Sequence, residues 1–294
     1  MERIRRREGR ETPQAWRIAE RVNIARDEAR RPSEDGTLTD PECIAALDGV
    51  SSGDSTEKIE GLTPGQFAVQ VGMEALKDAA KLSDPKEVVP FVSRRLREAL
   101  GPYTLTTTPS FVFAAFFPNF GENGMIIRVA DCSYLIDGVG DNPGLAIDRL
   151  KSKDRARRLR EEIEQGADVD ALLANDPTRP RMRALTKDIQ PRLANAPLSG
   201  NDTIFDTYRY PVMNGHDVPE DLVEYIEVPK GASSIILATD GYPPQSLKPS
   251  LAETEAALKE IRDRDKLAIG DMLSTRGVMP ENIDDRSYIR IVRA

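Results

Sequence analysis

The chain has 294 residues, 39% of them hydrophobic and 31% charged, a composition that suits a globular protein with a sizeable core and excludes a collagenous or disordered one. Its 41 basic residues against 49 acidic ones leave a net charge of -8, which argues against nucleic acid as a partner, because a phosphate backbone is held by clustered cations. The longest apolar run, Phe111 to Phe117, falls far short of the roughly 18 residues a membrane span needs, and the Arg-rich start has no apolar signal core. No membrane partner and a cytoplasmic location are therefore expected.

Residues 1–15 carry Arg3, Arg5, Arg6, Arg7 and Arg10 and read as a flexible basic end, leaving 16–294 as a single domain. Trp16 to Ala25 is strand-like, Arg30 to Thr39 reads as a polar loop, and Cys43 to Leu47 as a buried strand. Apolar residues at helical spacing predict helices over Gly65–Lys81 and Pro85–Leu100. Ser110–Phe117, Gly124–Ala130 and Cys132–Ile136 are β-branched and aromatic segments parted by Asn, Gly and Pro, the pattern of antiparallel strands. Residues 149–194 turn rich in Arg, Lys, Glu and Ala and predict a helical inserted lobe, spanning about 149–200. Strand patterns return at Tyr208–Met213, Leu222–Val228 and Ser234–Ala238, followed by a helix at Leu251–Arg262 and a strand at Ser287–Val292. Without regular β-α alternation, an α+β sandwich fits better than a doubly wound sheet. Cys43 and Cys132 have no metal-site spacing and read as reduced, structural residues.

Acidic residues fall at strand ends. Asp48 closes the run Ile44–Leu47, Asp240 follows Ile235–Thr239, Asp284 precedes Ser287–Val292, and Glu34 and Asp35 lie just before the first of these strands. A single such acid is an ordinary turn former. Asp48-Gly49 and Asp240-Gly241, however, each set a glycine after the acid, where a main-chain carbonyl can approach a ligand. Several carboxylates brought together repel one another, and hard divalent cations with oxygen ligands relieve that cost, so Mg2+ or Mn2+ is the expected occupant.

Ser33-Glu34-Asp35, Leu47-Asp48-Gly49, Ala130-Asp131-Cys132, Ala238-Thr239-Asp240-Gly241 and Asp284-Asp285-Arg286-Ser287 together resemble, in order, the motifs of the type 2C metal-dependent protein phosphatases, over about residues 18–292. The resemblance implies a four-layer sandwich of two antiparallel sheets flanked by helices. It also implies two Mn2+ or Mg2+ ions bridged by Asp48, with the Gly49 carbonyl and Glu34, directly or through water, serving one and Asp240 and Asp284 the other, and with Asp35 also among the metal residues. Arg30, with Arg31 as the alternative, matches the arginine that clamps phosphate, as a planar guanidinium does better than Lys.

Three departures from the pattern matter. Val50 stands where many members carry the histidine that protonates the leaving oxygen, and the sole histidine, His216, reads as a surface residue. Asp131 matches an aspartate that helps hold a third ion, but Pro244 replaces the other acid that ion needs, so Asp131 is either a weak ligand or structural. Asp285 stands where Asn is common and is expected to orient the ligands beside it. Substrate alternatives are phosphoserine or phosphothreonine in proteins and a small phosphorylated metabolite such as a phosphosugar or nucleotide. For the metabolite, Arg155, Arg157, Arg158, Arg160, Arg179, Arg181, Arg183 and Lys187 would form a basic wall. A third alternative is a silent module that binds phosphorylated partners.

Overall fold

A computed structural model describes residues 16–26, 32–50, 57–142, 144–270, 272–275 and 284–294. Residues 1–15, expected to be a flexible end, lie outside the described residues, as do Arg30 and Arg31.

One sheet consists of β2 (Gly36–Asp40), β3 (Cys43–Gly49), β4 (Phe111–Phe117), β5 (Met125–Val129) and β8 (Val223–Glu227), in the order β2-β3-β4-β5-β8. The other runs β1-β10-β9-β6-β7, from β1 (Trp16–Ile24), β10 (Arg286–Arg293), β9 (Ser234–Ala238), β6 (Ser133–Ile136) and β7 (Val139–Asp141). Every pairing is antiparallel.

The continuous apolar runs of β3 and β4 follow from burial on both faces. Side chains alternate across a strand, so Ile44, Ala46, Val112, Ala114 and Phe116 point between the sheets, where they meet Cys132, Ile235, Leu237, Ile289 and Ile291. Cys43, Ala45, Leu47, Phe111, Phe113, Ala115 and Phe117 point outward against α1 (Pro64–Ala79) and α2 (Val88–Leu100). Both cysteines are buried and unbridged, one in each of these cores. α1 starts on a capping box between Thr63 and Gln66 and carries Gly72 against the Phe111 ring, where a Cβ would come within 2.4 Å of Cζ. The outer face of the second sheet packs Ile236, Ala238 and Tyr288 against Tyr242, Leu247 and Leu258, the last from α8 (Leu251–Arg264). The layers are thus helix, sheet, sheet, helix, as expected.

Between β7 and β8 the chain forms α3 (Ala146–Glu164), α4 (Val169–Ala174), α5 (Arg179–Asp188), α6 (Gln190–Leu193) and α7 (Thr203–Tyr208). Two expectations change. The segment read as a polar loop up to Thr39 contains β2, because Thr37, Leu38 and Thr39 pair with Ala46, Ala45 and Ile44 despite weak local alternation. Tyr208–Met213 is not a strand: α7 runs through Tyr208, and the rest makes isolated bridges, Tyr210 with Ala194 and Met213 with Phe111. Pro211 has no N–H to continue a ladder.

Candidate active site

The chain ends of both sheets bring the acids to one edge. Asp48 shares the parity of Ile44 and Ala46, so it points between the sheets at the place where the apolar core stops. Asp240 follows β9 and Asp131 follows β5, while Glu34 and Asp35 precede β2 and Asp284 and Asp285 precede β10. Burial pushes the Asp48 carboxyl well above the usual carboxylate range, and the charges of Asp240, Asp35 and Asp131 push the same way. Of these charges that of Asp240, from the other sheet, acts on Asp48 most strongly. Asp131 is raised by burial and then by Asp240 and Asp148, with Arg128 opposing.

The main chain is packed tightly here. A Cβ on Gly49 would lie 2.5 Å from the Glu34 carbonyl oxygen and 3.0 Å from that of Gly65. One on Gly65 would sit 3.2 Å from the Glu34 carboxyl carbon. Only glycine lets β3, the Glu34 segment and the first turn of α1 come together. Gly241 is equally constrained, its Cβ position lying 2.1 Å from the Asp285 carbonyl oxygen.

Glu34 and Asp35 are each 6% exposed. The Asp35 Oδ2 accepts the Thr239 hydroxyl at 2.6 Å, and its carbonyl accepts Asn23 Nδ2 at 2.8 Å. Burial raises the Asp35 carboxyl well above its usual range; the Thr239 bond opposes this, and Asp285, Asp240 and Asp284 add to it. Asp285 accepts the Arg26 N–H at 2.6 Å and the Glu34 N–H at 2.8 Å, and its own N–H reaches Asp284 Oδ1 at 3.0 Å. Thr239 and Gly65 were not singled out from sequence as part of the site. The signal for Thr239 was its place directly before Asp240; nothing local marked Gly65.

The donor set is oxygen throughout, and Asp48 and Asp240 are acids near enough to repel, which a cation between them relieves. With the Gly49 carbonyl held in a cradle that a Cβ would fill, these residues fit a hard divalent ion. Among the described residues no three acidic, histidine or cysteine side chains are grouped closely enough to hold a metal ion, so the fit lies in the donor chemistry and not in a ready-made cage. The donors line one edge instead.

Val50 is 39% exposed and donates its N–H to the Ser110 carbonyl. His216 is exposed in a turn tied to α2 through Arg97, which donates to the Gly215 carbonyl at 2.6 Å and pairs with Asp217 at 2.7 Å. Of the expected basic wall, Arg179, Arg181, Arg183 and Lys187 are exposed, whereas others are drawn to partners. Arg155 is 1% exposed, pairing with Asp176 at 2.8 Å and donating to the Leu267 carbonyl at 2.8 Å. Arg157, Arg158 and Arg181 converge on Asp154, and Arg160 donates to the Ile269 carbonyl. These arginines pair with acids of the lobe and with carbonyls of the segment that follows α8.

The sequence matches no protein-family model and no curated protein. Solved structures do match. The serine/threonine phosphatase Stp1 from Staphylococcus aureus is 10% identical over 97% of this chain and 98% of that chain, with a TM-score of 0.51. The serine/threonine phosphatase PstP/Ppp of Mycobacterium tuberculosis is 13% identical over 94% and 98%, with a TM-score of 0.49. The PstP catalytic domain in complex with two manganese ions is 14% identical over 94% and 97%, also at 0.49. The chain has the α+β sandwich fold of the type 2C phosphatases.

Proposed function

We propose that the chain is a metal-dependent phosphatase that hydrolyses phosphomonoesters, with phosphoserine and phosphothreonine of proteins as its substrates. The observation that carries this reading is the meeting of Asp48 and Asp240, one from each sheet, beside a glycine cradle at the strand ends. The fold and the five ordered motifs support it. Two Mn2+ or Mg2+ ions would be held by Asp48, Glu34, Asp35, the Gly49 carbonyl, Asp240 and Asp284. Such a pair supplies an acidified, oriented water and neutralises charge on the phosphoryl oxygens.

The chain's own residues do the rest. Asp48 and Asp240 bring the two sheets' contributions to one point. Thr239 keeps one Asp35 oxygen occupied and so fixes which way that carboxylate turns. Arg30 would clamp the phosphoryl oxygens. Water adds to phosphorus as the ester P–O bond breaks, and the alcohol oxygen leaves with the bonding pair. With Val50 in place of a histidine, its proton comes from solvent. A small phosphorylated metabolite is the alternative substrate, for which the exposed Arg179, Arg181, Arg183 and Lys187 of α5 would supply cations. On this reading residues 16–294 are one catalytic unit with an inserted lobe at about 149–200, working in the cytoplasm. Among the described residues no helix is long and apolar enough to cross a membrane.

The test is hydrolysis of p-nitrophenyl phosphate with Mn2+, with Mg2+ and with EDTA, by the parent and by Asp240→Asn. Metal-dependent turnover lost in the variant bears the reading out. A folded parent without turnover that also fails to bind Mn2+ by calorimetry makes the chain a silent module.

A further inference from the structure

We infer that Asp285 is a positioning residue that sets Glu34 against the end of β3, and so sets the metal affinity of the site. This rests on the phosphatase reading above. Asp285 is 5% exposed and lies directly before β10, in one sheet, whereas Glu34 stands just before β2, in the other. Its two carboxylate oxygens divide their work: Oδ1 takes the Arg26 N–H at 2.6 Å and Oδ2 takes the Glu34 N–H at 2.8 Å. Both ends of the β1–β2 connection are therefore fastened to the segment that also carries Asp284.

The fastening leaves Glu34 little freedom. Its carbonyl oxygen and Cβ lie 2.5 and 3.0 Å from the Cβ position of Gly49, so a shift of the Glu34 main chain in that direction meets β3. On the far side the Asp285 main chain is wedged against Gly241, next to Asp240. Asp285 thus couples the placement of Glu34 to that of Asp240 and Asp284 without touching the substrate.

The chemistry requires a carboxylate. Two amide donors need two acceptors, and Asp offers one on each oxygen; Asn offers an acceptor and an NH2 that must face an N–H. Groups that orient ligands in this way typically change metal affinity by about 10- to 100-fold when altered.

The test titrates Mn2+ calorimetrically into the full chain as parent, Asp285→Asn, Glu34→Gln and the double variant, with amide exchange followed at Arg26, Glu34 and Thr239. The inference expects Asp285→Asn to weaken Mn2+ at least about tenfold. It expects much less added loss in the Glu34→Gln background, because coupled residues are not additive. It also expects faster exchange at Arg26 and Glu34 with Thr239 unchanged. Parent-like Mn2+ affinity in Asp285→Asn overturns it, as does equal loss in both backgrounds. If Glu34→Gln alone abolishes binding, exchange decides: unaltered protection at Glu34 in Asp285→Asn overturns the inference and selective loss supports it. Should neither variant at Asp285, Asn or Ala, fold, exchange in the parent serves, and fast exchange at both Arg26 and Glu34 overturns the clamp. A parent that binds no Mn2+ overturns the phosphatase reading itself and this inference with it.

Discussion

The Thr239 hydroxyl donates to Asp35 Oδ2 at 2.6 Å while accepting the Ser287 N–H at 2.8 Å, so one buried oxygen joins β9, β10 and the start of β2. Thr239→Val keeps the shape and removes both bonds, leaving a buried carboxylate and a buried N–H each one partner short. Unfolding in urea should show a loss of about 2–4 kcal/mol, roughly 1–2 per orphaned group, and Thr239→Ser should recover most of it. A neutral Thr239→Val would mean that water replaces the hydroxyl.

Gly49→Ala places a methyl 2.5 Å from the Glu34 carbonyl oxygen, a main-chain atom that cannot swing aside. Overpacking of this kind costs about 1–3 kcal/mol, and here the strain falls on the site. Mn2+ affinity by calorimetry should fall at least about tenfold, in the range that disturbed ligand placement produces. Gly61→Ala, where nothing lies within 4 Å but φ is +85°, should lower stability slightly and leave Mn2+ binding as it was.

Without a histidine after the bridging aspartate, rates across a series of aryl phosphates should fall steeply as the leaving-group pKa rises. Val50 is exposed enough to accept a larger side chain. Val50→His should therefore flatten the series and raise turnover of the poorest leaving groups by about 100-fold, at the low end of what a positioned acid gives. A series already flat in the parent would show that another group donates the proton.

Asp154 is held well below its usual range, at about 2, chiefly by Arg181 and then by Arg157 and Arg158, against the opposing pull of burial. A carboxylate with a depressed folded pKa stabilises the fold fully above its unfolded pKa, near 3.9, and that contribution is lost as pH falls towards 2. Asp154→Asn should lower stability at pH 7 and flatten the acid limb of urea unfolding between about pH 4 and 2. Arg181→Glu should likewise destabilise the chain while leaving KM for a charged substrate unchanged; a raised KM would restore the basic wall.

Arg155 should tolerate replacement least among the lobe arginines. Removing it leaves Asp176 with only its Thr178 bonds and uncaps the Leu267 carbonyl, and breaking a buried pair typically costs about 3–5 kcal/mol. Thermal unfolding of Arg155→Ala against Arg157→Ala, whose side chain is 54% exposed, should separate the two clearly.

How much of this was legible in the sequence depends on how local the cause is. β3, β4 and both helices of the first layer announce themselves, since burial on two faces writes an unbroken apolar run and burial on one face writes a 3.6-residue period. β2 did not, because Gly36-Thr37-Leu38-Thr39-Asp40 is short and polar and becomes a strand by pairing with β3. Tyr208–Met213 misled in the other direction, its aromatic and β-branched residues being spent on isolated bridges. Asp48 and Asp240 stood out in the sequence through the glycines behind them. The role of Arg155 was not, because one arginine in an arginine-rich helix carries no sign of the carbonyls more than a hundred residues away that it will meet.

The position of β10 between β1 and β9 has a consequence for the order of events during synthesis. Residues 16–24 find their strand partner, among the described residues, in residues 286–293. Asp284 and Asp285 arrive with that same strand, after every other acid of the edge has been made. A ribosome-bound chain can thus complete the helix-covered sheet before β10 is made, yet β1 waits for that partner and the acid edge stays open until β10 is delivered. Hydrolytic competence on the proposed reading is acquired in a single late step rather than by degrees.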